Sequence, residues 1–595
     1  MREIMRVNMS DLSIKMEPLP EKWSRYGGRA LTSAIVFTEV PADADPLGPL
    51  NKLVLAPGLL GGTTAPNGGR LSVGAKSPLT GGIKESNTGG TAAHALGKMG
   101  IAAVVIEGMP SNKNCSYVLR LFPDGKADIV CRHDMKGLGT YETVAVAKGI
   151  EATEDRMTEK SSFLVIGPAG EHGMKAAGIA VTDPMGYPNR YAGRGGLGAV
   201  MGSKGLKVIA IFDEGLKSLE HADKEAFNTA VKTFASALRT HPVSGEGLPT
   251  YGTNVLANII NEAGGYPTRN FSDGRFEGVE GISGETMREI TVARGGNVKH
   301  GCHSGCVIQC SRYYVDEDGH YMTKGPEYES AWSLGANCGI SDMDAVARLD
   351  RLCGDLGVDT IEMGATLGVY MDSGQIAFGD AEGAMAALAE IAKDTELGRA
   401  LGDGCEATGI KFGVAHIPVV KHQALPAYDP RPIQGIGVTY ATTTMGADHT
   451  AGYAITANVL AVGGTVDPLK PEGQAELSKN LQIATAMLDS MGLCIFVAFP
   501  VLDIPEAFTA IVDMVAAHTG DPWDVNAVLA VGKETLTYER LFNQHAGFTA
   551  ADDRLPEFFL KVPLPPHNVV FTVTDAELDS VFDFVPETAK ELGIS

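Results

Sequence analysis

The chain predicts an α+β protein, with a β-rich N-terminal domain followed by two mainly α-helical domains. Three observations carry that reading. Up to about residue 210, short apolar runs lie between Gly, Pro and Asn turn signals, with no helical period alternating between them. From Leu216 onward, apolar residues recur at helical spacing. Two Pro/Gly-rich stretches, KHQALPAYDPRPIQGIG and ATTTMGADHTAGYA, interrupt the helices beyond residue 420. The expected domains are 1–212, 213–420 and 421–595, within the two to four that 595 residues allow.

In chain order the strand candidates are LSIKME, KLVLA, RLSVGA, AAVVIEG, SYVLRLF, SFLVIG and KVIAIFD. Because helices do not alternate with them, a doubly wound sheet is not expected. The helix candidates are HADKEAFNTAVKTFASALR, MDAVARLDRLCGDLG, AEGAMAALAEIAKD, QAELSKNLQIATAMLDSMG and DVNAVLAVGKETLTYERLFN. Charge narrows the partners: 49 Lys plus Arg against 72 Asp plus Glu give a net charge of -23, which phosphate backbones repel, so no nucleic acid is expected. No apolar run is long enough to span a membrane, and the opening MREIMRVNMSDLSIKMEPLP has no signal-peptide core. The expected compartment is the cytoplasm. The 73 glycines serve turns or bring backbone close to large ligands.

Nine cysteines are too few for a disulfide scaffold, but GNVKHGCHSGCVIQCSRYY puts Cys302, Cys306 and Cys310 within nine residues. Soft thiolates on a compact loop suit an iron–sulfur cluster, which needs a fourth cysteine from elsewhere. Cys494 is the candidate, since it follows a helix whose Gly492 suits a C-terminal cap. A zinc site that includes His303, or buried inert thiols, are the competing readings. Cys338 and Cys353 lie in helical sequence and read as core.

NRYAGRGGLGAVMGSKGLKVIAIFDEG contains G-x-G-x-x-G at Gly193, Gly195 and Gly198, with Asp213 downstream. A Rossmann site needs a strand leading straight into those glycines, and Pro184 and Pro188 argue against one. The general chemistry remains: Arg190, Arg194 and small residues can press amides and guanidinium groups against an anion. The stretch TTAPNGGRLSVGAKSPLTGGIKESNTGGTAAH repeats it with Arg70, Asn87 and Gly89.

Together these segments resemble the aldehyde:ferredoxin oxidoreductase family of tungsten enzymes. The resemblance rests on APNGGR, SNTGG, AGRGGLGAVMGSKGLK, the cysteine cluster, GPEYESAWSLGANCGI, LPAYDPR and LDSMGLC, spread in order over the chain. It implies a β-rich domain cradling a bis-pterin cofactor under two helical domains. It further implies tungsten, or molybdenum, on the pterin dithiolenes, a magnesium ion bridging the pterin phosphates, and one [4Fe–4S] cluster. The residues that match the family's cofactor contacts are Arg70, Asn87, Gly89, Arg190, Tyr191, Gly193, Arg194, Asp359, Asp489 and Leu493, with Asn87 and the Tyr191 carbonyl at the magnesium. Cys302, Cys306, Cys310 and Cys494 match the cluster ligands, and Glu329, Tyr428 and His449 match the residues near the metal.

Asp489 and Cys494 are five positions apart, so a pterin on the first and iron on the second lie within roughly 18 Å. An aldehyde carbonyl must be polarised, a task for His449 or Tyr428, and a base must take a proton, for which Glu329 is the candidate and Glu327 its competitor. The implied activity is oxidation of aldehydes to carboxylic acids. Electrons would pass to a ferredoxin or a dedicated iron–sulfur subunit, in a homo- or hetero-oligomer. The alternative is the catalytic subunit of a low-potential tungsten reductase related to benzoyl-CoA reductase. Departures from the family pattern are the three-residue gap between Cys302 and Cys306, Gly354 where a pterin-binding Asp is expected with Asp355 as its substitute, and Ala451 in place of Lys. Arg348-Leu349-Asp350-Arg351 stands where some homodimers carry a metal-binding Glu-x-x-His.

Overall fold

The computed structural model describes residues 2–153 and 161–595. Its N-terminal part is built on twelve strands: β1 (Glu3–Asn8), β2 (Ser13–Pro18), β3 (Leu53–Pro57), β4 (Leu71–Lys76), β5 (Ile83–Thr88), β6 (Ile101–Glu107), β7 (Ser116–Leu121), β8 (Ala127–Arg132), β9 (Ser161–Val165), β10 (Ile179–Val181), β11 (Arg190–Ala192) and β12 (Leu206–Phe212). They form two six-stranded sheets, ordered β2-β1-β6-β3-β4-β5 and β11-β10-β9-β12-β7-β8. Only the β1/β6 and β12/β7 pairs are parallel, so both sheets are mixed and neither is doubly wound.

Alternate residues of both sheets meet in one core, where Val7, Leu55, Val73 and Val104 join Leu164, Ile179 and Ile209. The opposite faces of β3 and β6 are also covered, with Val54, Ala56, Ala103 and Val105 in the core shared with the helices. Burial on both faces is why these strands read as continuous apolar runs. All seven strands read from the sequence form. β5, the polar run IKESNT, escaped notice because its buried side chains are hydrophilic.

The helix Gly28–Glu39 was also missed, since SRYGG reads as a turn. It packs on β3 and β4 and against the helices Gln474–Met491 and Val525–His545. Gly28 permits that approach: at φ +45°, a Cβ there would lie 2.2 Å from the Asp489 carbonyl oxygen. The helices read from the sequence appear as Lys224–Thr240, Met343–Leu356, Ala381–Ala389, Gln474–Met491 and Val525–His545. Gly492 caps its helix in the left-handed conformation, and Cys338 and Cys353 are fully buried. A hairpin sheet of β13 (Asn297–His300), β14 (Ser311–Val315) and β15 (Tyr321–Lys324) brackets the cysteine loop. Cys115 and Cys131 form a disulfide joining the region of β7 to the edge strand β8. Among the described residues no helix is long and apolar enough to cross a membrane.

Candidate active site

A cavity opens where β5 and β11, the edge strands of the two sheets, meet the helical part. Its volume is about 360 Å³. Arg70, Asn87, Gly89, Arg190, Tyr191, Gly193, Arg194, Asp359 and Asp489 line it, together with Glu329, Tyr428, His449, Cys302, Cys310 and Cys494. Chain segments spread from residue 70 to residue 494 thus converge. Two site residues fall outside the lining. Cys306 sits behind Cys302, and Leu493 is fully buried in the helical core, so its side chain is not available to a ligand there.

One corner holds thiols. The Cys306 thiol hydrogen-bonds Cys302, and with His303, Arg190 and Arg70 nearby it holds Cys302 well below the usual thiol range. Cys306 is raised in return, by Cys302 first and then by burial. Burial and Glu327 raise Cys310, and burial pushes Cys494 up to about 11. Each of Cys306, Cys310 and Cys494 is raised further by the charge of another cysteine in the group. Such a donor set favours a cation in its midst, and soft sulfur suits iron. Gly89 leaves room beside it: a Cβ would lie 3.1 Å from Cys302 Sγ and 3.2 Å from Arg70 Nη1. Sulfur and nitrogen ligand atoms of Cys302, His303 and Cys306 also lie within 4.8 Å of one another. His303, however, packs its ring on His94 and turns Nδ1 to the Ser304 carbonyl at 2.8 Å, leaving Nε2 without a partner.

Asn67, which the sequence reading did not single out, clamps this corner. Its N–H donates to Gly305 O (3.1 Å), its carbonyl accepts from Cys494 N–H (3.0 Å), and its Oδ1 accepts from Val307 N–H (2.9 Å). Its Nδ2 lies 3.7 Å from Cys306 Sγ. A left-handed backbone (φ 58°) suits Asn better than most residues. The loop before β4 also binds the end of the helix Gln474–Met491, with Leu59 and Arg70 N–H donating to Ser490 O and Gly492 O. Asp489 and Cys494 are therefore held in one frame with Arg70.

A second group joins that frame to the sheet. Arg29 makes a bidentate pair with Glu539 (2.9 Å twice) and reaches Asp489 Oδ2 at 3.3 Å. Burial and the Glu85 carboxyl push Asp489 up, against Arg29 and Arg70. Arg70 Nε donates to Asn87 Oδ1, and Arg190 donates to Ser311 and Glu327 while its buried Nε has no partner. Arg194 bonds Asp359 (3.1 Å) and the carbonyls of Ala447 and Ala424. Asp359 also caps the helix Thr360–Asp372, accepting from Ile361 and Glu362 N–H.

The other corner holds neutral polar groups. Glu329 Oε1 lies 3.3 Å from His449 Nε2, and its Oε2 accepts the Ala427 N–H. Burial pushes Glu329 up to about 8 and His449 down to about 4. Near neutral pH the contact is thus a protonated carboxyl beside a neutral imidazole, not an ion pair. The Tyr428 and Tyr453 hydroxyls are 2.6 Å apart, both raised by burial, and both rings lie 6.0 Å from the His449 ring. Behind the loop, fully buried Lys84 reaches Met445 O and Asp448 Oδ2, both at 3.4 Å. Glu327 is engaged elsewhere, by Arg190 and Thr253, which separates it from Glu329.

Comparison with known proteins decides the family. Residues 4–213 match the model of the aldehyde ferredoxin oxidoreductase N-terminal domain, and 229–583 match domains 2 and 3. The chain belongs to the aldehyde ferredoxin oxidoreductase family. It is 37% identical to the tungsten-containing aldehyde ferredoxin oxidoreductase of Pyrococcus furiosus over 585 residues, 94% of this chain and 91% of that protein. It is equally similar to that of Thermococcus kodakarensis, over 583 residues with 94% and 91% covered. The WOR-like subunit of aliphatic sulfonate oxidoreductase from Pyrococcus furiosus is 27% identical over 468 residues, covering 73% of this chain and 72% of that one. In fold, the chain is similar to the active-site complex BamBC of benzoyl coenzyme A reductase, with a TM-score of 0.79 and 18% identity over 100% of this chain and 94% of that one. This member of the aldehyde ferredoxin oxidoreductase family is an oxidoreductase.

One expectation within the family is corrected. Asp355 does not stand in for the missing Asp at 354: it accepts from Tyr141 N–H, crowds Gly139 and is absent from the cavity lining. Asp350 faces the cavity instead, bonded to Thr323 at 2.6 Å, and Gly354 is covered by the Tyr191 hydroxyl, which donates to its carbonyl. In the segment Arg348-Leu349-Asp350-Arg351, Arg348 pairs with Glu382 and Arg351 stacks on Tyr141 at 3.5 Å.

Proposed function

We propose that this chain oxidises aldehydes to carboxylic acids at a tungsten (or molybdenum) bis-pterin and passes the electrons through a [4Fe–4S] cluster. A ferredoxin or dedicated iron–sulfur subunit receives them. The observation that carries the reading is one cavity lined both by the largely buried Glu329–His449 pair and by the thiols of Cys302, Cys310 and Cys494, with Cys306 hydrogen-bonded to Cys302. The names of the relatives support it. Fold similarity to a benzoyl-CoA reductase complex supports architecture alone, because unlike chemistries share folds.

Cys302, Cys306, Cys310 and Cys494 would hold the cluster, with Cys302 preferred to His303 because it faces the cavity. Arg70, Asn87, Gly89, Arg190, Tyr191, Gly193, Arg194, Asp359 and Asp489 would hold pterin and phosphate groups. Asn87 and the Tyr191 carbonyl would meet a bridging Mg²⁺, while Leu493 contributes packing. The metal, when bound, supplies the acceptor for two electrons. The net reaction is RCHO + H₂O → RCOOH + 2 H⁺ + 2 e⁻: a C–O bond forms to water oxygen and the aldehyde C–H bond breaks.

The protein's own groups orient the substrate and move protons. In the Tyr428–Tyr453 pair one hydroxyl donates to the other, which leaves one O–H to donate to the aldehyde oxygen. Glu329, once ionised, takes the proton of the attacking water, with His449 Nε2 beside it as relay. We place the reaction in the cytoplasm, where a reducing pool would keep the four cluster thiols free; among the described residues the Cys115–Cys131 disulfide is the one feature that runs against that placement. Elemental analysis of anaerobically purified protein tests the cofactor: about one tungsten or molybdenum and four irons per chain are expected, and zinc alone would overturn the proposal. Aldehyde-dependent reduction of a viologen dye tests the reaction, and dye reduction only with a CoA ester would favour the reductase alternative.

A further inference from the structure

Protein interiors are close-packed, so a void of molecular size inside a helical core calls for an explanation. Such a void, about 140 Å³, adjoins the active-site cavity, and Tyr453 and Ile495 line both. Its remaining walls come from the helices Gln474–Met491, Ala498–Asp503, Pro505–Thr519 and Val525–His545, with Leu481, Leu488, Leu502, Phe508 and Leu529 prominent. No charged residue lines it. Of its three hydroxyl-bearing residues, Tyr453 gives it a ring face, its hydroxyl being held by Tyr428, Thr456 turns its hydroxyl to the Tyr453 carbonyl at 3.0 Å, and Thr485 adds the third.

We infer that this void is the binding pocket for the apolar tail of the substrate, whose aldehyde end sits among Glu329, His449 and the tyrosine pair. The inference rests on the aldehyde reading and names its substrate class: aldehydes carrying an apolar group of about six carbons. An engineered apolar cavity of about 150 Å³ holds benzene, so this one has space for a group of that size. Polyhydroxylated tails are disfavoured, since several hydroxyls would be buried with Thr485 as the one lining hydroxyl not already bonded to Tyr428 or the Tyr453 carbonyl. Ile495, only partly buried, and Tyr453 form the wall that the two cavities share.

The test uses anaerobically purified holoenzyme with acetaldehyde, butanal, hexanal, decanal and glyceraldehyde. Burying each methylene gains about fourfold, so kcat/KM should rise about 10²-fold from acetaldehyde to hexanal and fall again by decanal. Ala484→Phe fills the pocket from the helix Gln474–Met491 at a position that does not itself line the main cavity. It should cut kcat/KM for hexanal at least tenfold and leave acetaldehyde within threefold. Leu502→Ala enlarges the pocket and should shift the optimum to longer chains, which keeps the test decisive should the larger side chain disturb folding. Calorimetry gives a readout independent of turnover: hexanoate should bind the wild-type protein more tightly than acetate, and Ala484→Phe should abolish the difference. Oxidation of acetaldehyde with the same chain-length profile in wild type and Ala484→Phe overturns the pocket and keeps the aldehyde reading. Hexanoate binding sensitive to Ala484→Phe, with no aldehyde oxidised, supports the pocket and overturns the reading.

Discussion

In one corner of the cavity Cys302, Cys310 and Cys494 lie beside Arg70 and Arg190, with Cys306 bonded to Cys302 outside the lining, and in another Glu329 and His449 lie near Tyr428 and Tyr453. The first corner gathers groups that would be anionic and resists ionising all of them, which is the signature of a site awaiting a cation. The second lets burial neutralise both an acid and a base, so it stands without a ligand and has one proton ready to move. In the proposed reaction the difference would divide the labour: electrons would leave through groups that need a metal to coexist, and protons would move through groups that need only each other. Metal loss should therefore damage the thiol corner and spare the geometry of the other.

Cysteine loss breaks the first corner outright. Cys494→Ser should lower iron well below four per chain and cut aldehyde-dependent dye reduction more than about 10³-fold, the removal of an electron exit rather than of one proton transfer. Cys302→Ser should do the same while His303→Ala retains iron. The reverse pattern in elemental analysis would make the imidazole the ligand. In the second corner Glu329→Gln should lower kcat by about 10²- to 10⁴-fold with metal content unchanged. The sign with pH follows from burial: below about 8 Glu329 keeps its proton and cannot accept another, and above it the carboxylate is free. Wild-type kcat should climb as pH passes through about 8 and then level, and the Gln variant should show no such rise.

The thiol corner was largely legible in the sequence, because three cysteines in nine residues and a fourth after a capped helix are local patterns. Asn67 was not legible: its role arises only when residues 305–307 and 494 fold against it, and one asparagine in a glycine-rich turn has an ordinary reason to be there. Arg29 stayed hidden because its helix begins at paired glycines, and Tyr453 because a tyrosine in an irregular loop carries no period. Asp355 misled for the opposite reason. A carboxylate one residue from the expected place lies on a different face of the same helix, and there it binds the Tyr141 backbone. The mixed sheets were legible where strands are apolar and not at β5, whose polar side chains are buried.

Asn67→Ala gives a smaller effect that sharpens the comparison. It removes the acceptor for Val307 N–H and the contact with Cys306 Sγ, while the backbone bonds to Gly305 and Cys494 remain. A buried donor left unpaired costs about 1–3 kcal/mol, so a chelator should strip iron about tenfold faster. Glu329 chemistry should be untouched in chains that still carry metal, measured as kcat per tungsten.

The smallest effect belongs to the tyrosine pair and settles which member meets the substrate. Phe keeps the ring that packs near His449 in either position, so Tyr428→Phe and Tyr453→Phe each delete only a hydroxyl. If Tyr453 donates to Tyr428 and Tyr428 donates to the aldehyde oxygen, Tyr453→Phe leaves the substrate contact in place and weakens it through lost alignment. A neutral hydrogen bond contributes about 0.5–1.5 kcal/mol, so kcat should fall about two- to tenfold. Tyr428→Phe then removes the donor itself and should cost more than Tyr453→Phe, with KM changing less than kcat, because the bond strengthens as negative charge gathers on the carbonyl oxygen. A larger loss from Tyr453→Phe reverses the order of donation and places Tyr453, at the mouth of the second cavity, against the carbonyl.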